Sequence, residues 1–74
     1  MESLDLHNTR HHLVRAKLIR FVEDHWGKDI EAEIITGNSP YMKEIVKEVL
    51  DEYKLKYKVG DFAGQNMGFL KVEI

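Results

Sequence analysis

The spacing of apolar residues changes several times along this chain, and each change marks an element. "SLDL" near the start alternates strictly, so Leu4 and Leu6 share one side of a strand while Asp5 and His7 fall on the other. In "TRHHLVRAKLIRFVEDHW" the interval lengthens. Val14, Leu18, Phe21, Val22 and His25 recur at helical spacing, with Thr9 as the expected N-cap and Gly27 as the stop. "EAEII" is a short strand that runs into "TGNSP", where Pro40 suits the first turn of a second helix capped by Ser39. That helix carries the clearest pattern in the chain. Met42, Ile45, Val46, Val49, Leu50 and Tyr53 form one apolar stripe, and Lys43, Glu44, Lys47, Glu48, Asp51 and Glu52 cover the other side. The tail "LKYKVGDFAGQNMGFLKVEI" alternates twice around "AGQN" and reads as a hairpin.

The predicted order is strand, helix, strand, helix, strand, strand, a βαβαββ two-layer α+β sandwich of the α/β type. Right-handed crossovers that progress in one direction place both helices on one face of a four-stranded mixed sheet and leave the other face open. The expected strand order is 1-2-4-3, with only the last strand antiparallel. Alternation then turns Leu4, Leu6, Ala32, Ile34, Tyr57, Val59, Leu70, Val72 and Ile74 toward the helices. Asp5, His7, Glu33, Ile35, Lys56, Lys58, Phe69 and Lys71 turn toward the open face.

Composition narrows this picture. The chain has 74 residues, enough for a single domain over residues 1–74 with one small core. Hydrophobic residues at 43% and charged residues at 32% are a globular balance. There is no cysteine, so neither a disulfide framework nor a thiolate metal site enters, and a reducing compartment fits. "MESLDLH" has no basic or apolar leader character, and no apolar run approaches the ~18 residues of a membrane span. The expectation is a cytoplasmic protein without membrane contact. A net charge of −2 argues against strong non-specific nucleic-acid binding, because that affinity comes from cations displacing counterions. Any contact with DNA or RNA is expected to be local and weak.

Two segments can carry chemistry. Asp5 and His7 fall at the carboxyl end of the first strand, and Thr36, Gly37, Asn38 and Ser39 at the carboxyl end of the second, beside a helix N-terminus. Open α/β sheets place ligands at these ends, and a helix N-terminus offers N–H groups to a phosphate. A histidine can take a proton from water or a ribose hydroxyl. A neighbouring carboxylate has two uses here: orienting that base, or holding a divalent cation such as magnesium, for which one carboxylate is a thin ligand set. The plainer alternative makes Asp5 a solvated strand residue, His7 a helix cap and "TGNSP" an ordinary turn. A histidine zinc site from His7 with His11 or His12 lacks helical register and an obvious third ligand, and His25 reads as an ordinary helix residue. Phe69 with Lys56, Lys58 and Lys71 suits a base-stacking platform with flanking cations, or else the lysines simply keep an exposed sheet soluble.

Taken together, the two segments resemble the motifs of small MutS-related (Smr) domains. The first motif of that family is LDLH followed by glycine, present here as Leu4-Asp5-Leu6-His7 with Asn8 at the glycine position. The second is an H/T-G-x-G turn opening the second helix, matched by Thr36-Gly37-Asn38 with Ser39 at the second glycine. The resemblance runs nearly the whole chain, through Val14, Leu18, Phe21 and Val22, then "IITGNS" and "GFLKVEI". It implies a βαβαββ sandwich similar to the C-terminal domain of bacterial translation initiation factor three. It also implies an endonuclease that nicks or cleaves DNA or RNA, with Asp5 and His7 in cleavage and Thr36, Gly37 and Asn38 in binding. Smr domains usually sit at the end of larger proteins, and this chain resembles the short forms found in phage genomes. The alternative expectation is a non-catalytic module that binds nucleic acid or docks a protein partner on its open sheet or edge.

Overall fold

In the computed structural model, which describes residues 2–60 and 68–74, six elements follow in the expected order. They are β1 (Glu2–Asp5), α1 (His11–Asp24), β2 (Glu31–Ile35), α2 (Pro40–Glu52), β3 (Lys56–Val59) and β4 (Phe69–Glu73). The expected "AGQN" turn lies outside the described residues. The sheet order is β1-β2-β4-β3. β1 pairs parallel with β2, and β4 runs antiparallel to both β2 and β3, so the last strand alone is reversed.

α2 forms where its ends are chemically marked. The Met42 N–H donates to Ser39 Oγ at 3.2 Å, and Pro40 fills a first-turn position that needs no donor. Its other end closes with Lys54 in the left-handed region at φ 56°, the Lys54 N–H on the Asp51 carbonyl and the Leu55 N–H on the Leu50 carbonyl. This paired bonding is a Schellman closure, which satisfies carbonyls the helix would leave unpaired. α1 differs from expectation at its start. Its N-cap is Arg10, with no side-chain cap bond, because Thr9 is drawn into the preceding turn by its N–H on the Leu6 carbonyl at 2.9 Å. His25 sits just past the helix as its C-cap, with Nδ1 2.8 Å from the Phe21 carbonyl and its ring 4.3 Å from that of Phe21. It holds the helix end together, and its Nε2 lies 3.7 Å from Glu2 Oε2 on β1.

Both helices bury their stripes against the same side of the sheet. Val14, Leu18 and Val22 from α1 meet Met42, Val46, Val49 and Leu50 from α2 over Leu6, Ala32, Ile34, Leu70 and Val72. The Cα envelope is 19 Å in its shortest dimension, room for one sheet and one layer of helices of about 10 Å each and no second helical layer. Arg15 and Glu52 link α1 to α2 on the outside through a two-pronged guanidinium–carboxylate contact of 2.9 and 2.5 Å.

The open face is organised by register. Asp5, Ile35 and Phe69 form one row across β1, β2 and β4. Ser3, Glu33, Lys71 and Lys58 form the next, and Glu31, Glu73 and Lys56 the third.

Candidate functional site

Asp5 ends β1 and His7 lies two residues on, in the turn before α1. His7 is therefore placed by that turn rather than by strand alternation. Both the backbone N–H and the ring of His7 close onto one carboxylate oxygen: the N–H is 3.1 Å and Nδ1 2.5 Å from Asp5 Oδ1. The His7 ring and backbone bonds hold the Asp5 carboxyl below its ordinary value of 3.8. An ionised carboxylate only accepts, so Nδ1 carries the proton of the neutral ring and Nε2 keeps its lone pair. Of the two uses open to Asp5, the geometry favours orienting the base. Both side chains remain about half exposed, at 48% for His7 and 56% for Asp5.

The second segment comes against the first. Gly37 has φ +67°, a turn conformation that favours glycine, and a Cβ built there would lie in contact with His7 Cβ at 3.4 Å, so the two segments pack against one another. Asp5, His7, Glu33, Ile35, Gly37, Asn38, Gly68 and Phe69 line a shallow depression of about 380 Å³. The two sequence motifs thus meet, as their places at adjacent parallel strand ends suggest.

Several expected binding groups are already occupied. Thr36 is 1% exposed, with its hydroxyl donating to the Gly37 carbonyl at 2.8 Å and the Gly68 carbonyl at 3.3 Å. The Thr36 and Gly37 N–H groups also bond the Gly68 carbonyl, at 2.8 and 2.9 Å. A phosphate at this turn would find the Asn38 and Ser39 N–H groups, which have no hydrogen-bond partner among the described residues. Phe69, expected as an exposed platform, is only 8% exposed although its row is the open face. It supplies a wall of the depression rather than a surface for stacking.

Lys56, Lys58 and Lys71 do lie on the open face, but Glu31, Glu33 and Glu73 share their rows. Lys56 and Lys58 stand on the far edge strand, three strand spacings or about 14 Å from β1. They flank a separate depression of about 490 Å³. No group of three His, Cys, Asp or Glu among the described residues could hold a metal ion, so the donors do not make a zinc centre.

One contact was not visible in the sequence reading. His11 and Tyr41 meet edge to face, with ring centroids 4.6 Å apart, and bind the first turns of α1 and α2 together. The signal lay in position: Tyr41 is aromatic but stands off the apolar stripe of its helix, so it must face outward. Compared with protein-family models, curated proteins and solved structures, the chain matches none.

Proposed function

We propose that the protein is an Smr-type endonuclease that cuts DNA or RNA, with His7 as general base and Asp5 as the residue that orients it. The observation that carries this reading is the double closure of His7 onto Asp5 Oδ1, which leaves Nε2 as the ring's free nitrogen in the depression shared with Gly37 and Asn38. Nε2 takes the proton from the attacking water or ribose hydroxyl as its oxygen bonds to phosphorus. The imidazolium so formed is stabilised by Asp5 and returns a proton to the oxygen that leaves. Asn38 and Ser39 N–H groups at the start of α2 receive the phosphate, with Lys56, Lys58 and Lys71 available to more distant phosphates.

The test is a nicking assay on supercoiled plasmid and on structured RNA, with and without magnesium. Wild type is expected to cut, and His7→Ala and Asp5→Ala to lose on the order of a hundredfold in rate. Equal cutting by all three proteins overturns the assignment. A second reading, a non-catalytic binding or docking module, is favoured by the internal use of Thr36 and the Gly37 N–H on Gly68. Its signature is wild-type binding of nucleic acid or a protein with no cutting under any condition.

A further inference from the structure

Tyr41 is the most exposed of the large hydrophobic side chains of the described residues, at 61%, and it stands in the first turn of α2. Its ring is braced by His11 at 4.6 Å yet keeps most of its surface open. His11 is four positions after His7, and Tyr41 four after Gly37. Each tether spans at most about 14 Å. Since His7 and Gly37 themselves lie against one another, the ring pair is tied to the Asp5–His7 pair by two short tethers, one from each helix start.

Charge on this side differs from that of the open face. "TRHHLVRAKLIRFV" contains no acid. Within it, Arg15 is engaged by Glu52 and Arg20 by Asp24, whereas Arg10 is exposed and makes no ion pair among the described residues. Arg10 immediately precedes His11, the residue whose ring meets Tyr41. An exposed aromatic ring and an uncommitted guanidinium carried at adjoining positions match the chemistry of an unpaired nucleotide, whose base offers a π face and whose phosphate offers oxygens. Paired bases hide those faces in the stack.

We infer that Tyr41, braced by His11, stacks an unpaired base next to the scissile phosphate while Arg10 holds a neighbouring phosphate, so that the substrate is single-stranded nucleic acid. This rests on the cleavage reading of Asp5 and His7 and adds the substrate's form to it. The platform expected at Phe69 is thereby assigned to Tyr41, in the first turn of α2.

Fluorescein-labelled single strands of RNA and DNA and the matching duplexes, titrated by anisotropy over a salt series, provide the test. His7→Ala is the background, which keeps the probes intact. Single strands are expected to bind more tightly than duplex. Tyr41→Ala should weaken single-strand binding on the order of tenfold and Tyr41→Phe should retain it. Arg10→Ala should lower the slope of log affinity against log salt by about 0.7. Trp26→Ala removes another exposed aromatic, 55% accessible and located beyond the other end of α1, and should change nothing. Unchanged single-strand affinity in Tyr41→Ala, or a preference for duplex, overturns the inference. If the wild type then still cuts and His7→Ala does not, the cleavage reading survives alone. If Tyr41 governs binding but wild type never cuts, the platform stands in a non-cleaving binder. No binding to any probe overturns the inference, and the cleavage reading then stands or falls with the nicking assay.

Discussion

Asp5 and His7 are held by two hydrogen bonds of different kinds, and that difference is measurable. The ring bond depends on the side chain of residue 7, while the backbone N–H bond survives its removal. A carboxyl held below 3.8 contributes to folding above that value, and the contribution fades as pH falls through the folded titration point. Carbon-detected NMR titration of the Asp5 carboxyl should therefore give a midpoint below 3.8 in wild type. In His7→Ala it should return only part of the way, because the residue 7 N–H still donates. A full return, or no change, contradicts the bonding described. Gly37 belongs to the same scale. Its φ of +67° is strained for any residue with a side chain, and a Cβ there would stand in contact with His7 Cβ at 3.4 Å.

The two helices begin and end by different means, so their ends respond differently to substitution. Ser39 caps α2 through its hydroxyl, and Ser39→Ala should cost about 1 kcal/mol, with Ser39→Gly costing less. At the other end, Lys54 occupies a left-handed position that glycine adopts freely. Lys54→Gly should raise stability by up to about 1 kcal/mol, a gain of roughly 4–8 °C in Tm for a chain this size. Thermal unfolding followed by circular dichroism checks both. A loss of stability in Lys54→Gly would mean that the Schellman closure does not form. α1 has no side-chain cap to lose, and its start is fixed instead by the Leu6–Thr9 turn that also positions His7. The element and the candidate base are thus set by one piece of backbone.

At the scale of the molecule, stability rests on one thin layer of apolar side chains between two helices and a sheet. A domain of 74 residues has roughly 4–11 kcal/mol in total. Leu18 is completely buried where α1 meets the core, so Leu18→Ala should cost about 2–5 kcal/mol, a large share of that total. Urea denaturation should show the midpoint falling with little change in slope. A shift no larger than that of an exposed-site change such as Lys17→Ala would show that α1 is not held by this core. The Arg15–Glu52 link lies outside the core, with both side chains about half exposed, and salt screens it.

Periodicity along the chain was sufficient for the elements, their order and their buried stripes. "EAEII" and the start at Pro40 could be read directly, because alternation, helical spacing and a Ser-Pro cap are local properties of backbone and side-chain geometry. The strand order also followed, since handed crossovers leave few topologies for so short a chain. The meeting of "LDLH" with "TGNS" was legible for the same reason. What the linear pattern did not contain was which polar groups would already be satisfied. Thr36 and the Gly37 N–H are taken up by the carbonyl of Gly68, a residue more than thirty positions away that only strand pairing brings alongside. Phe69 alternates onto the open face but is covered there, because two-residue periodicity assigns a side and says nothing of what lies above it. The contact of Tyr41 with His11 likewise arises only when two helix starts are packed side by side. Local sequence determines conformation through short-range sterics and hydrogen bonding, whereas exposure and partnership depend on long-range neighbours and are decided by the tertiary structure.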